Sequence, residues 1–174
     1  KYIIGVGRFL EEKGFDYLIR AFGNTNLTEF KLVLVGDSDY SSAYATRLKT
    51  FAKENNVILT GFIKGEKLKQ IYTFARLFVL SSFSEGLPIA LLEALSYGLD
   101  VLASDIPANQ QIGLDTADYF ITGNEADLKE KISVKLLGRR ESDYSNILDS
   151  KYNWDTIAIE TYSIYNKLLN KNET

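Results

Sequence analysis

The sequence predicts a doubly wound α/β domain, in which helices cover both faces of a parallel sheet. Two observations predict this fold class. Apolar stretches without polar alternation recur along the chain, and a helical pattern follows most of them. In such folds a ligand binds beyond the carboxyl ends of the strands, where the strand order reverses.

The elements follow from periodicity. Continuous apolar runs that end near glycine or polar residues predict strands at 2–7, 31–36, 57–61, 77–80, 101–103 and 119–121. Apolar residues at i, i+3, i+4 and i+7 predict helices at 15–22, 42–55, 68–75 and 89–97. The last of these helices precedes Gly98, a residue typical of helix ends. The final 50 residues show helical patterns without a further clear strand.

Composition excludes several kinds of chemistry. The 174 residues contain neither cysteine nor histidine, which excludes disulfides, thiol catalysis and imidazole acid–base catalysis. The net charge is −3, whereas a domain that binds duplex nucleic acid normally carries a basic surplus. No apolar run approaches the 18 residues of a membrane span. Chemistry therefore has to come from carboxylates, Arg, Lys, hydroxyls and backbone amides.

The densest group of candidate residues lies between positions 81 and 98, after the fourth strand and across a helix start. Gly86 lets a ligand approach the backbone, and Pro88 favours a first helical turn whose free N–H groups attract anions. Glu85 stands before this helix, and Glu93 lies two turns inside it among apolar neighbours. Two interpretations stay open: binding carboxylates, or a dipole-complementing Glu85 with a solvated Glu93.

A second group follows the first strand, in the segment 5–14. Arg8 and Lys13 stand at the carboxyl end of a strand, where two cations would suit a diphosphate. The alternative is a simple turn in which both cations pair with Glu11 and Glu12. The segment lacks the phosphate-binding pattern GxxxxGK[ST], and its GxG is not completed to GxGxxG.

Asp37-Ser38-Asp39 after the second strand is a possible divalent-metal pair, because an Asp-x-Asp holds metal in one class of sugar-nucleotide enzymes. A turn with a side-chain cap explains these residues at least as well, and no metal site is predicted.

Several short motifs in order resemble the retaining glycosyltransferases of the GT-B fold, family 4 (group 1), in their C-terminal donor-binding domain. The resemblance spans nearly the whole chain, and each motif alone is weak. The matching segments are Gly7-Arg8 with Lys13-Gly14, Leu34-Val35-Gly36-Asp37, Leu59-Thr60-Gly61-Phe62, Leu80-Ser81-Ser82, Glu85-Gly86 with Glu93, and Val101-Leu102-Ala103-Ser104-Asp105.

The resemblance implies roles for individual residues. Arg8 and Lys13 would bind the diphosphate, Glu85 would accept hydroxyls of the transferred sugar, and Glu93 would take the two ribose hydroxyls. The implied catalytic residues are Arg8, Lys13 and Glu85, and the implied donor-binding residues are Gly7, Phe62, Ile63, Glu85, Gly86, Leu87, Pro88, Ile89 and Glu93. Many relatives carry glycine where Pro88 stands, so an amide contact is lost there. Relatives often carry an acid near Gln110-Gln111, where no role is assigned.

The resemblance also implies that residues 1–174 form a single Rossmann-like, nucleotide-sugar-binding domain, one half of a two-domain enzyme. An acceptor-binding domain would precede Lys1, and the helix at 154–170 would pack toward it. The donor would be a nucleotide-diphosphate sugar, UDP- or GDP-linked, used without metal or cofactor. The acceptor would be a glycan or lipid-linked glycan in polysaccharide or lipopolysaccharide synthesis. We expect a cytoplasmic enzyme, peripheral at the inner face of the membrane, whose isolated donor half is inactive.

Two other functions remain open on the sequence. One is another GT-B enzyme, such as a nucleotide-sugar epimerase or a sugar phosphorylase, although no segment matches the Lys-linked pyridoxal phosphate of a phosphorylase. The other is a non-catalytic domain that binds nucleotide sugars or acts as a scaffold. The charged residues Arg8, Lys13, Glu85 and Glu93 argue against a decayed site.

Overall fold

A computed structural model describes residues 1–40, 42–138 and 143–170. The chain divides into two compact units, Lys1–Ser142 and Asp143–Thr174. The first unit holds the sheet and all the candidate site residues. In the second, the described residues form the helices α7 (Ser145–Lys151) and α8 (Trp154–Asn170). The helix predicted at 154–170 is therefore present, whereas its packing toward another domain stays a prediction.

The first unit contains a six-stranded parallel sheet within the described residues, which confirms the predicted fold class. Its strands are β1 (Tyr2–Val6), β2 (Lys31–Val35), β3 (Ile58–Leu59), β4 (Leu77–Leu80), β5 (Val101–Ser104) and β6 (Tyr119–Phe120). The order across the sheet is β3-β2-β1-β4-β5-β6. The order therefore reverses between β1 and β4, where the fold places its ligand site.

Helices cover both faces of this sheet. They are α1 (Phe15–Gly23), α2 (Ala43–Glu54), α3 (Glu66–Phe74), α4 (Ile89–Ser96), α5 (Pro107–Gln110) and α6 (Glu125–Leu137). Buried residues of α1, α2 and α6 form one cluster with alternate strand residues such as Ile3 and Leu32. The strand residues between these point to the other face of the sheet, where the ring of Phe78 lies 6.1 Å from that of Tyr72 in α3. Burial of this apolar surface holds the layers together.

Differences from the predicted elements are small and local. The third strand shortens to two residues, because Gly61 takes φ 69° and turns the chain. Helix α4 starts at Ile89, so Pro88 is the residue before the helix rather than in its first turn. The four-residue helix α5 was not predicted, since one helical turn is too short to show periodicity.

The opposite, amino-terminal edge of the sheet carries a buried charge cluster. Lys135 of α6 is 8% exposed and donates to Asp100 (2.7 Å) and to Asp118. Asp100 directly precedes β5, and Asp118 directly precedes β6. Because charges this deeply buried need partners, the cluster ties α6 to the strands on the side away from the candidate site.

No helix among the described residues is both long enough and apolar enough to cross a lipid bilayer.

Candidate active site

The centre of the candidate site is an ion pair between Lys13 and Glu85. Lys13 ends a 3-10 turn (Glu11–Lys13) that follows β1, and Glu85 lies in the loop after β4. The Lys13 Nζ donates to Glu85 Oε1 at 2.8 Å, and the two side chains are 16% and 8% exposed. Because β1 and β4 are the neighbours between which the strand order reverses, the pair stands where doubly wound folds bind ligands.

Two serines at the end of β4 hold this pair in place. The Ser82 hydroxyl donates to Glu85 Oε1 at 2.6 Å, and the Ser81 hydroxyl donates to the backbone carbonyl of Lys13 at 2.8 Å. Both bonds to Glu85 reach the same oxygen. Within the described residues, Glu85 Oε2 has no hydrogen-bond partner, so it is able to accept a hydrogen bond from a hydroxyl of a ligand.

A chain of buried hydrogen bonds lies behind these serines. The Ser104 hydroxyl at the end of β5 donates to the backbone carbonyl of Ser82 at 2.5 Å. The side-chain amide of Asn109 in turn donates to the Ser104 hydroxyl at 2.9 Å. All three side chains lie in the interior. The position of Glu85 is therefore coupled to two strands and to α5.

Backbone amides at the start of α4 form the second part of the site. Among the described residues, the amides of Gly86 and Leu87 donate no hydrogen bond, whereas the Ile89 amide donates to the Leu87 carbonyl at 2.9 Å. A Cβ added at Gly86 would meet no protein atom within 4 Å. Neither packing nor a positive φ requires glycine there, so the open backbone is available to a ligand.

Glu93, in α4, is half-buried and has a specific protein partner. The hydroxyl of Tyr72 in α3 donates to Glu93 Oε2 at 2.9 Å. Burial, together with the nearby charge of Glu93, raises the pKa of Tyr72, so its hydroxyl stays protonated. The interpretation of Glu93 as a merely solvated acid is therefore wrong.

Arg8 pairs with a residue outside the Lys13–Glu85 pair. Its side chain is largely exposed and reaches Asp39 at 3.4 Å. The alternative in which Arg8 and Lys13 pair with Glu11 and Glu12 is wrong, because the cations bond instead to acids that follow β2 and β4. A long-range contact of this kind depends on the order of strands in the sheet.

The Asp-x-Asp segment carries no feature of a metal site. Lys49 in α2 lies 2.6 Å from Asp37, and its hydrogen bond holds the pKa of that aspartate below the ordinary value. Asp39 contacts Arg8. Among the described residues, no group of three or more potential ligand side chains could hold a metal ion.

Phe62 and Ile63 follow β3, on the same edge of the sheet as the Lys13–Glu85 pair. Phe62 is 55% exposed, and the backbone before it is fixed by a bridge between Gly36 and Gly61. An exposed aromatic ring at this edge is able to pack against a planar group. The role of these two residues in binding the donor stays a prediction.

Among the predicted side chains, direct contact therefore joins Lys13 and Glu85, while Arg8 and Glu93 bind other partners. No role in the site was predicted for Tyr72, Ser82, Ser104 or Asn109. Tyr72 lies within the helix predicted at 68–75. The acid Glu93 among apolar neighbours was the signal that a polar partner or a ligand lies nearby.

Comparison with known proteins identifies the family and the fold of the chain. A sequence profile of the family described as glycosyl transferases group 1 matches residues 1–144. An uncharacterized glycosyltransferase of Methanocaldococcus jannaschii is 30% identical over 95% of this chain and 44% of its own length. The catalytic domain of cholesterol-alpha-glucosyltransferase from Helicobacter pylori superposes with a TM-score of 0.69 at 28% identity, over 78% of this chain and 86% of that chain.

A further structure shares the fold alone at 21% identity. It is the C-terminal domain of a glycosyl transferase group 1 family protein of Francisella tularensis, with a TM-score of 0.73 over 88% of this chain and 87% of that one. The fold is that of GT-B glycosyltransferases, and the chain belongs to the family of glycosyl transferases group 1. It spans less than half the length of the M. jannaschii relative.

Proposed function

We propose that this chain is the donor-binding domain of a retaining, metal-independent glycosyltransferase of family 4. The whole enzyme would move a sugar from a nucleotide-diphosphate sugar, UDP- or GDP-linked, to a glycan or lipid-linked acceptor at the cytoplasmic face of a membrane. The observation that carries the proposal is the Lys13–Glu85 pair beside the open amides of Gly86 and Leu87. The catalytic residues would be Arg8, Lys13 and Glu85.

The hydrogen-bonding capacity that remains on this pair suits the diphosphate and the sugar of such a donor. A lysine ammonium has three donors, and Glu85 takes one of them, which leaves two for phosphate oxygens. Glu85 Oε2, which has no hydrogen-bond partner among the described residues, would accept a hydrogen bond from a sugar hydroxyl. The buried serine chain behind Glu85 holds the carboxylate in place before the donor arrives.

Charge development in the reaction explains why cations and amides are needed. As the bond from the anomeric carbon to the diphosphate breaks, positive charge grows on the sugar ring and negative charge on the departing phosphate. The acceptor oxygen forms the new bond, and its proton leaves with the diphosphate. Lys13, Arg8 and the amides before α4 would stabilise the departing anion without a metal.

The length relation supports a two-domain enzyme. The chain covers 44% of the M. jannaschii relative, and it matches most of a C-terminal domain from F. tularensis. We propose that the acceptor site belongs to the other half of the full-length enzyme, and that this chain alone binds donor weakly and transfers little sugar. Robust transfer by the 174-residue chain alone would contradict this part.

Calorimetric titration tests donor binding. UDP, GDP and ADP, each free and sugar-linked, are added at up to millimolar concentration to the unmodified chain, Arg8→Ala, Lys13→Ala and the control Lys31→Ala. Lys31 opens β2 at the opposite edge of the sheet. We expect one nucleotide to be preferred, with affinity about tenfold lower in each site variant and unchanged in the control. No binding by the unmodified chain would favour the scaffold function.

A further inference from the structure

The pairing of Tyr72 with Glu93 is a specific contact between α3 and α4. Tyr72 is 1% exposed, and its hydroxyl lies 2.9 Å from Glu93 Oε2 and 3.3 Å from the carbonyl of Ala90. A hydroxyl has a single proton to donate, and the carboxylate is the nearer and charged acceptor. The hydroxyl therefore fixes one particular oxygen of Glu93.

The ring that carries this hydroxyl is itself fixed. It stacks on Tyr97 with centroids 5.3 Å apart and an angle of 2° between the planes, and it lies 6.1 Å from Phe78. Tyr97 directly follows α4, the helix that carries Glu93. Stacking of this kind stabilises one orientation of the ring, so the hydroxyl is in position without any ligand.

The other oxygen of Glu93 is left available. Within the described residues, Glu93 Oε1 has no hydrogen-bond partner, although apolar side chains flank this acid along α4. A half-buried carboxylate with one oxygen fixed and one unpartnered is arranged to accept hydrogen bonds from a ligand in a single direction.

We propose that Tyr72 is a positioning residue, which orients Glu93 toward the vicinal hydroxyls of a ribose and so makes the chain prefer ribonucleotides to deoxynucleotides. This inference rests on the proposed donor binding, in which Glu93 takes the ribose hydroxyls. It adds that the preference depends on a hydroxyl donated from a different helix, α3, which never touches the ligand.

A purely structural role predicts a different outcome. If the Tyr72 hydroxyl only satisfied a buried acid, its removal would lower the stability of the fold and leave the choice between ribose and dideoxyribose unchanged. The ratio of affinities for the two ligands therefore separates positioning from stability.

The experiment measures dissociation constants for the preferred nucleoside diphosphate and for its 2′,3′-dideoxy form. The variants are Tyr72→Phe, which keeps the ring, Glu93→Gln, the double variant and the control Tyr97→Phe, which keeps the stacked pair. The unmodified chain should bind the ribonucleotide about tenfold more tightly than the dideoxy form. Tyr72→Phe should remove most of this ratio by weakening ribonucleotide binding alone, while Tyr97→Phe keeps it.

The double variant keeps the test decisive if Tyr72→Phe also lowers stability. With Glu93 already replaced by Gln, the loss of the Tyr72 hydroxyl should not change the ratio further. A Tyr72→Phe chain that keeps the full ribose preference would overturn the inference alone, provided that Glu93→Gln loses it. Glu93→Gln with an unchanged preference would overturn the inference and the ribose role of Glu93, while leaving diphosphate binding at Lys13 standing. No nucleotide binding by the unmodified chain would overturn both proposals.

Discussion

Lys13 and Glu85, 72 residues apart in the sequence, form a 2.8 Å hydrogen-bonded ion pair between the loops that follow β1 and β4. Both side chains are mostly withdrawn from water, and Ser82 shares the bonded oxygen of Glu85. This pair joins the two segments that the sequence analysis had singled out separately. Its energetic coupling is therefore the first property to measure.

Replacing either partner should destabilise the chain, and replacing both should cost less than the sum. Lys13→Met leaves a nearly buried carboxylate without its cation, which we expect to cost about 3 kcal/mol. Glu85→Gln should cost about 1–2 kcal/mol, because its partner is more exposed. The double variant should show a coupling of about 1–3 kcal/mol in urea denaturation. Additive losses within about 0.5 kcal/mol would mean that the pair is not coupled.

Replacement by alanine should weaken ligand binding at Gly86 and destabilise the fold at Gly14. A Cβ at Gly86 meets no protein atom, so Gly86→Ala should change stability by less than about 0.5 kcal/mol. The same Cβ enters the space that the proposed ligand fills, and we expect about tenfold weaker binding of the nucleotide sugar.

Gly14 supplies the matched control. It has φ 61°, and an added Cβ would clash with the backbone oxygen of Ser81. Gly14→Ala should therefore lower the free energy of unfolding by about 2 kcal/mol or more. Thermal unfolding of both variants measures the change in stability, and calorimetric titration measures the change in affinity for the nucleotide sugar. A Gly86→Ala chain that binds normally would remove this backbone from the site.

The buried chain behind Glu85 should matter for both stability and sugar binding. Ser104→Ala removes the donor to the Ser82 carbonyl and one of the two acceptors of the Asn109 amide, at a cost of about 1–3 kcal/mol. Because Glu85 then loses support, affinity for the nucleotide sugar should fall more than affinity for the free nucleotide.

A serine whose hydrogen bond is exposed provides the comparison for Ser104. The hydroxyl of Ser133, in α6, donates to the Lys129 carbonyl at the surface. Ser133→Ala should therefore change the free energy of unfolding by less than about 0.5 kcal/mol. Equal losses of affinity for the sugar-linked and the free nucleotide in Ser104→Ala would contradict the link to Glu85.

Lys135 tests the separation between stability and binding. Its ammonium lies between Asp100 and Asp118 at the amino-terminal edge of the sheet. Lys135→Met leaves two buried acids without this cation, and we expect a loss of about 3–5 kcal/mol. Nucleotide affinity of the folded fraction, measured at low temperature, should not change. A selective loss of binding without a loss of stability would place a ligand at this edge.

Most of the fold could be predicted from the sequence, because its signals are local. The continuous apolar runs gave β4 and β5 within one residue, and helical spacing gave α1 and α4 within one residue at each end. Helix α5 and the two-residue length of β3 could not be predicted in this way. A single turn carries no period, and the end of β3 depends on the backbone of Gly61.

The charged residues of the candidate site could be predicted, but neither their pairings nor the buried hydroxyl and amide groups behind them could. Local reasoning offered Glu11 and Glu12 as partners of Lys13, whereas the strand order brings Glu85 to it instead. Tyr72 lies within the helix predicted at 68–75, and its side chain is buried. That its hydroxyl meets Glu93 depends on how α3 and α4 lie beside each other, which no periodicity contains.

The most direct test of donor binding at the β1–β4 edge maps the ligand onto the chain. Amide resonances of the ¹⁵N-labelled protein are followed while the preferred nucleoside diphosphate is added to millimolar concentration. Donor binding at this edge predicts shifts concentrated at Gly7, Lys13, Gly86 and Leu87, with none around Lys135. Shifts centred on the amino-terminal edge, or none at saturating ligand, would contradict it.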